Sequence, residues 1–193
     1  MFTIYFDTET GGTQPQHPTI QLAAVAMDGD SEVGSFEQCI AFNEADCDPE
    51  ALKMNHYDPV RWTETAVTPA ICAARFAAWL RPFQSVTLTS KRTGQPYTVA
   101  QLAGYNAVTF DEPRLRQMFG EKFTPWSYLV RDVLQRVLFY FDENPFAPQP
   151  ENFKLSTVAA HFLISTEGAH GALADARMCA AVARAVREAS EGW

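Results

Sequence analysis

Apolar and polar positions alternate with a period of two at the start of the chain. In "FTIYFD" (2–7) Ile4 and Phe6 share one face, while Tyr5 and Asp7 fall on the other, which predicts a strand. "TIQLAAVAMD" (19–28) predicts a second strand and "GSFEQCIAF" (34–42) a third, with "DGDSEVG" between them as a hairpin loop. Helices announce themselves by their starts. Asp48 followed by Pro49 opens a short helix in "DPEALKMNH", and Thr68 followed by Pro69 opens one over 68–83, where Ile71, Arg75, Phe76, Trp79 and Leu80 recur at helical spacing. "SVTLTSKRTGQPYTVA" (85–100) reads as a β-hairpin or irregular insert around Thr93-Gly94. Beyond it, "QLAGYN" (101–106) is strand-like, Pro113 sets a helix through Met118, and "SYLVRDVLQRVLFYF" passes from strand to helix. After the Pro-rich loop "NPFAPQPEN" (144–152), "LSTVAAHFL" and "GALADARMCAAVARAVREA" give two final helices.

Early strands joined by short loops pair antiparallel, so this order predicts one α/β domain over 1–193 with a mixed sheet, interrupted by the insert at 84–100. At 193 residues and 47% apolar the chain can bury a core without staples. Its net charge of -8 favours solubility and lacks the basic footprint of a nucleic-acid surface. Cys39, Cys47, Cys72 and Cys179 are scattered, with no C-x-x-C, which excludes a zinc finger and fits reduced thiols in a cytoplasmic protein. The start of the chain lacks a signal-peptide pattern, and "LAAVAM", the longest clean apolar run, is far short of a membrane span.

The chemistry lies in the carboxylates. In "FDTET" (6–10) Asp7 and Glu9 are two apart and so project from one face of the strand, where like charges repel. A polar strand end before a Gly-Gly turn explains this plainly; a divalent cation between them explains it chemically. In the last helix Ala172, Asp175, Met178, Cys179, Val182 and Val186 form one stripe, and Asp175 is its single charged member. A carboxylate there costs several kcal/mol unless an Arg or a metal pairs with it. His170, five residues earlier in "AHGALAD", can lean over the same cleft and exchange a proton. Asp111 in "GYNAVTFDEPRL" is either a helix N-cap or a fourth carboxylate at the mouth of the strand "QLAGYN". Taken together, three acidic segments and one imidazole at strand ends and helix starts suit two hard cations, Mg²⁺ or Mn²⁺, about 3.5–4 Å apart and bridged by Asp7.

"FDTETGG", "GYNAVTFDEPRL" and "HGALADAR" also resemble, in order, the three motifs of the DnaQ-like, DEDD-type 3′–5′ exonucleases of the His subtype. The resemblance covers nearly the whole chain. It implies a ribonuclease-H-like fold, a mixed five-stranded sheet with one antiparallel strand, flanked by helices. It also implies that Asp7, Glu9, Asp111 and Asp175 bind two Mg²⁺ or Mn²⁺ and that His170 is the general base, and it assigns Thr10, Gly11 and Asn106 to the substrate. Asp132 matches a recurrent acidic position outside the metal set. Two features depart from the common pattern: Gly11 replaces the second Thr of "DTETTG", and Tyr105 takes the His position of "HNAxFD" with one extra residue before Asp111. The longer "GYNxVxFD" form resembles the exonuclease I and TREX-like branches, which implies single-stranded DNA as substrate in preference to RNA. The alternatives are an exoribonuclease or oligonucleotide-degrading enzyme with the same site, and a non-catalytic module that binds a nucleic-acid end or a protein. Lys91, Arg92 and Tyr97 of the insert could touch a strand, or belong to an ordinary solvated hairpin.

Overall fold

The computed structural model describes residues 1–120 and 124–191. In chain order its elements are β1 (Phe2–Thr10), β2 (Thr19–Asp28), β3 (Ser31–Cys39), α1 (Pro49–Met54), α2 (Pro59–Thr65), α3 (Pro69–Leu80), β4 (Val86–Thr89), β5 (Pro96–Val99), β6 (Leu102–Gly104), α4 (Asp111–Met118), β7 (Arg131–Asp132), α5 (Val133–Glu143), α6 (Leu155–His161) and α7 (Ala172–Glu191). Five strands form one sheet in the order β3-β2-β1-β6-β7; β2 alone runs against the others. The strand pattern predicts a mixed sheet, and the motif resemblance implies these five strands with one antiparallel.

The alternation along β1 decides which layer each side chain joins. Ile4 and Phe6 enter one apolar cluster with Cys72, Phe76 and Leu80 of α3 and Leu115 of α4. Tyr5 faces the opposite cluster, built from Val137 and Phe141 of α5, Val158 of α6, and Met178, Cys179, Val182 and Val186 of α7. The apolar stripe read along the last helix is thus the face that α7 buries. Salt bridges from Arg177 to Glu32 and Arg187 to Asp30 tie its outer side to the β2–β3 hairpin. Among the described residues no helix is long and apolar enough to cross a membrane.

Several expected boundaries shift, each for a local reason. The third strand runs over 31–39, not 34–42, because Gly29 at φ 60° closes a tight turn and Asp28 already pairs with Ser31. The first strand continues through the acidic pair to Thr10, and "QLAGYN" yields only three paired residues. Helix α4 starts at Asp111, before Pro113, with Phe110 as its cap, so Asp111 is not the N-cap. Helix α2 was not foreseen, although Asp58-Pro59 repeats the device of Asp48-Pro49: the Asp58 side chain accepts from the Val60 N–H. Its anchor is the buried Trp62, whose Nε1–H donates to the Ile20 carbonyl at 3.1 Å. The insert forms the hairpin β4–β5, a separate two-stranded sheet. The net result is that β1 and β6 end, and α4 and α7 begin, at one edge of the sheet.

Candidate active site

Asp7 and Glu9 leave the end of β1 on the side that α7 covers, and Asp175 meets them from the first turn of that helix. One carboxylate oxygen from each lies within 4.8 Å of the other two. Glu9 is buried; Asp7 and Asp175 are half-buried. Burial first, and mutual repulsion second, push the carboxyl of Asp7 well above the ordinary range and that of Glu9 to about 8. Burial raises Asp175 as well, and the backbone N–H and charge of His170 offset part of that rise. Such a group holds its full negative charge only with a cation among its oxygens, and an all-carboxylate donor set fits a hard divalent ion.

Asp111 stands beside these three but is not one of them. Its carboxylate accepts from the Thr8 N–H at 3.2 Å and from the Thr8 hydroxyl, and burial, partly offset by those bonds, raises it to about 6. Its charge still reaches Asp7 and Glu9. Of the four carboxylates expected to converge, three meet, and the fourth is turned onto a hydroxyl from the opposite face of β1.

His170 is exposed on the loop ahead of α7, at φ 67°. It lines a cleft of 380 Å³ together with Asp175, Asn106, Tyr105, Lys154 and Ser156. The other residues tied to the substrate are differently engaged. The Thr10 hydroxyl donates to the Gly12 carbonyl at 2.9 Å, and the Gly11 N–H donates to the Pro18 carbonyl at 2.8 Å. A Cβ at position 11 would stand 2.4 Å from the Cys47 Sγ, so a threonine there would have to displace that side chain. Asn106 borders the cleft at φ 57°, and its side-chain oxygen accepts from the Thr109 hydroxyl.

No protein-family model matches the chain, and no curated protein matches it in sequence. Solved structures do match. An exonuclease I from Methylocaldum szegediense superposes with a TM-score of 0.76 at 22% identity, over 99% of this chain and 41% of that one. The zinc-bound E. coli exonuclease I complex with single-stranded DNA gives 0.75 at 22% identity, with the same coverage. E. coli exonuclease I with a dT13 oligonucleotide gives 0.73 at 22%, over 96% of this chain and 41% of that one.

The chain has the exonuclease I fold. That fold is ribonuclease-H-like, and the chain spans about two fifths of the exonuclease I structures it matches.

Within this fold residues outside the expected metal set also shape the acidic edge. The Asn55 Nδ2 donates to the Thr10 carbonyl at 2.8 Å and so pins the end of β1. Lys154, just ahead of α6, lines the His170 cleft and has no carboxylate partner among the described residues; a single lysine before a helix carries no sequence signal. Asp132, read as outside the metal set, serves as a clamp. One oxygen accepts from the N–H groups of Asn106, Leu134 and Gln135, and the other from Val108, so it caps α5 and fixes the loop that leads to Asp111. Asp132→Ala is therefore expected to cost about 2 kcal/mol or more in urea denaturation, from a lost cap plus loop N–H groups left unpaired. A cost within 0.5 kcal/mol, roughly that of an ordinary surface substitution, would show that the loop holds itself.

Proposed function

We propose that the protein is a metal-dependent 3′–5′ exonuclease of the DnaQ-like, DEDD-type His subtype, which acts on single-stranded DNA and releases nucleoside 5′-monophosphates. The observation that carries this reading is the meeting of Asp7, Glu9 and Asp175 beside the His170 cleft, at the edge where the parallel strands of an exonuclease I fold end. Asp7, Glu9 and Asp175, with Asp111 as the fourth carboxylate, would hold two divalent ions, Mg²⁺ or Mn²⁺. When bound, such ions lower the pKa of water and steady a leaving oxygen.

The chain's own groups supply the rest. Water attacks phosphorus, the bond to the 3′ oxygen of the penultimate nucleotide breaks, and His170 takes the proton of the attacking water from its position at the rim of the cleft. Lys154, an ammonium on the same cleft, is placed to meet a phosphate oxygen. The clamp at Asp132 keeps Asn106 at the cleft, where its side chain can meet the terminal nucleotide. The four thiols are free and three are buried, which suits the reducing cytoplasm in which we place this activity.

The test is a digestion ladder. A 5′-labelled DNA strand incubated with the protein and Mg²⁺ should shorten from its 3′ end, faster than the matched RNA strand. Absence of shortening on either strand with Mg²⁺ or Mn²⁺ would leave the chain a binding module. Faster loss of the RNA would make it an exoribonuclease.

A further inference from the structure

Beside Arg116 of α4 lies a groove of 1010 Å³, walled by the β4–β5 hairpin. Lys91, Arg92 and Tyr97 come to it from the hairpin, Arg116 from α4, and Trp126 and Tyr128 from the segment before β7. No acidic residue appears among its described lining residues, in a chain of net charge -8. Among the described residues Lys91 and Arg92 have no carboxylate partner, whereas Arg116 is paired with Glu112. Tyr97 is 40% and Tyr128 70% exposed, so two aromatic faces stand open to solvent beside the cations.

The hairpin adds nothing to the main sheet. A lone two-stranded ribbon is marginal in water, and its tip is polar, with Ser90, Lys91, Arg92 and Thr93 around Gly94 at φ 70°. Val99 is the one buried residue of its two strands, so the core accounts for the base of the hairpin and not for its tip. One contact ties the groove's lining to the helix that begins at Asp111. Trp126, at its floor, donates Nε1–H to Glu112 at 3.3 Å, and Glu112 is the neighbour of Asp111 in α4. Arg116 follows Asp111 by five residues, about 7.5 Å along the helix at 1.5 Å per residue.

We infer that this groove is a second contact for single-stranded nucleic acid, in which Lys91 and Arg92 meet phosphates and Tyr97 and Tyr128 stack on bases. Its place on the strand rests on the exonuclease reading: with the 3′ end at Asp7, Glu9 and Asp175, the groove takes nucleotides on the 5′ side. Stacking on exposed aromatics with cations alongside is sequence-tolerant, and so suits a substrate of any sequence.

The test separates the groove from the chemistry. Binding of a fluorescent oligothymidylate of about 20 nucleotides is followed by anisotropy in EDTA, and hydrolysis of the p-nitrophenyl ester of thymidine 5′-monophosphate is followed with Mn²⁺. For the Lys91→Ala/Arg92→Ala variant the oligonucleotide should bind about tenfold or more weakly, and the slope of log K against log salt should shrink by about 1.4, at 0.7 per lost phosphate contact. Tyr97→Ala should weaken binding by about tenfold with the slope unchanged. The small ester, which cannot reach the groove, should be hydrolysed at the wild-type rate by both. Unchanged oligonucleotide affinity and slope would overturn the inference, as would variants that alter self-association in sedimentation but leave oligonucleotide binding intact. If the wild type fails to cleave the ester, the exonuclease reading falls, while the anisotropy still decides the groove.

Discussion

Asp7→Asn should lower the rate of 3′-end shortening by about a thousandfold or more and, at the same time, raise the melting temperature of the metal-free protein. The two effects have one cause. Burial is the larger part of Asp7's penalty, and the repulsion of Asp111, Glu9 and Asp175, which converges on it, adds to that. An amide keeps the shape but carries no charge, so the metal-free fold loses an unfavourable term of about 1 kcal/mol or more, roughly 2–4 °C for a chain of this size. A cation bound there loses a ligand, and several kcal/mol of charge stabilisation go with it. Initial rates on a 5′-labelled strand, with thermal unfolding in EDTA, check both halves. A variant that is inactive because it is unstable would contradict the explanation even though activity is lost. Few substitutions of a buried carboxylate are expected to stabilise, which makes the sign of the shift the informative part.

The second large effect is on pH dependence. Glu9 rises from an ordinary 4.5 to about 8 and Asp111 from 3.8 to about 6, and Asp7 and Asp175 move in the same direction. Between roughly pH 4.5 and 8 the folded, metal-free protein therefore binds more protons than the unfolded chain, and its stability falls as pH rises through that window. For Glu9 alone the loss is on the order of 3 kcal/mol, or about 6–12 °C. The exposed Glu32, lowered by its hydrogen bond to Arg177, acts in the opposite direction but weakly. With excess Mn²⁺ the trend should reverse, because the ion binds the ionised carboxylates and its stabilisation grows with pH. Thermal unfolding from pH 5 to 8, with EDTA and with Mn²⁺, measures this directly. Parallel curves in the two conditions would show that the carboxylates do not form a cation site.

Much of this site was legible in the sequence because period is a geometric statement. Spacing of two along β1 put Asp7 and Glu9 on one face, and the apolar stripe of α7 singled out Asp175; the structure brings the three together. What period cannot supply is the direction in which a side chain turns. Asp111 was placed at the right edge, but its bond to Thr8 joins residues 103 apart and depends on the packing of α4 against β1. Strand β3 starts three residues before its apolar pattern does, because Gly29-Asp30 alone makes the turn and the polar Ser31 and Glu32 already pair with β2. Helix α2 carried its start signal in plain view; its length, seven residues around one buried Trp, left too little apolar pattern to notice. The basic groove draws on the hairpin, α4 and the segment before β7, three stretches with no common motif, so only the fold assembles it.

Diffraction from crystals soaked in Mn²⁺, recorded near the manganese absorption edge, tests the central claim most directly. The expected result is anomalous density among the carboxylate oxygens of Asp7, Glu9 and Asp175, with Asp111 as the neighbouring ligand of a second ion. Crystals that take up manganese elsewhere and leave those oxygens bare, or filled by the ammonium of a lysine, would contradict it.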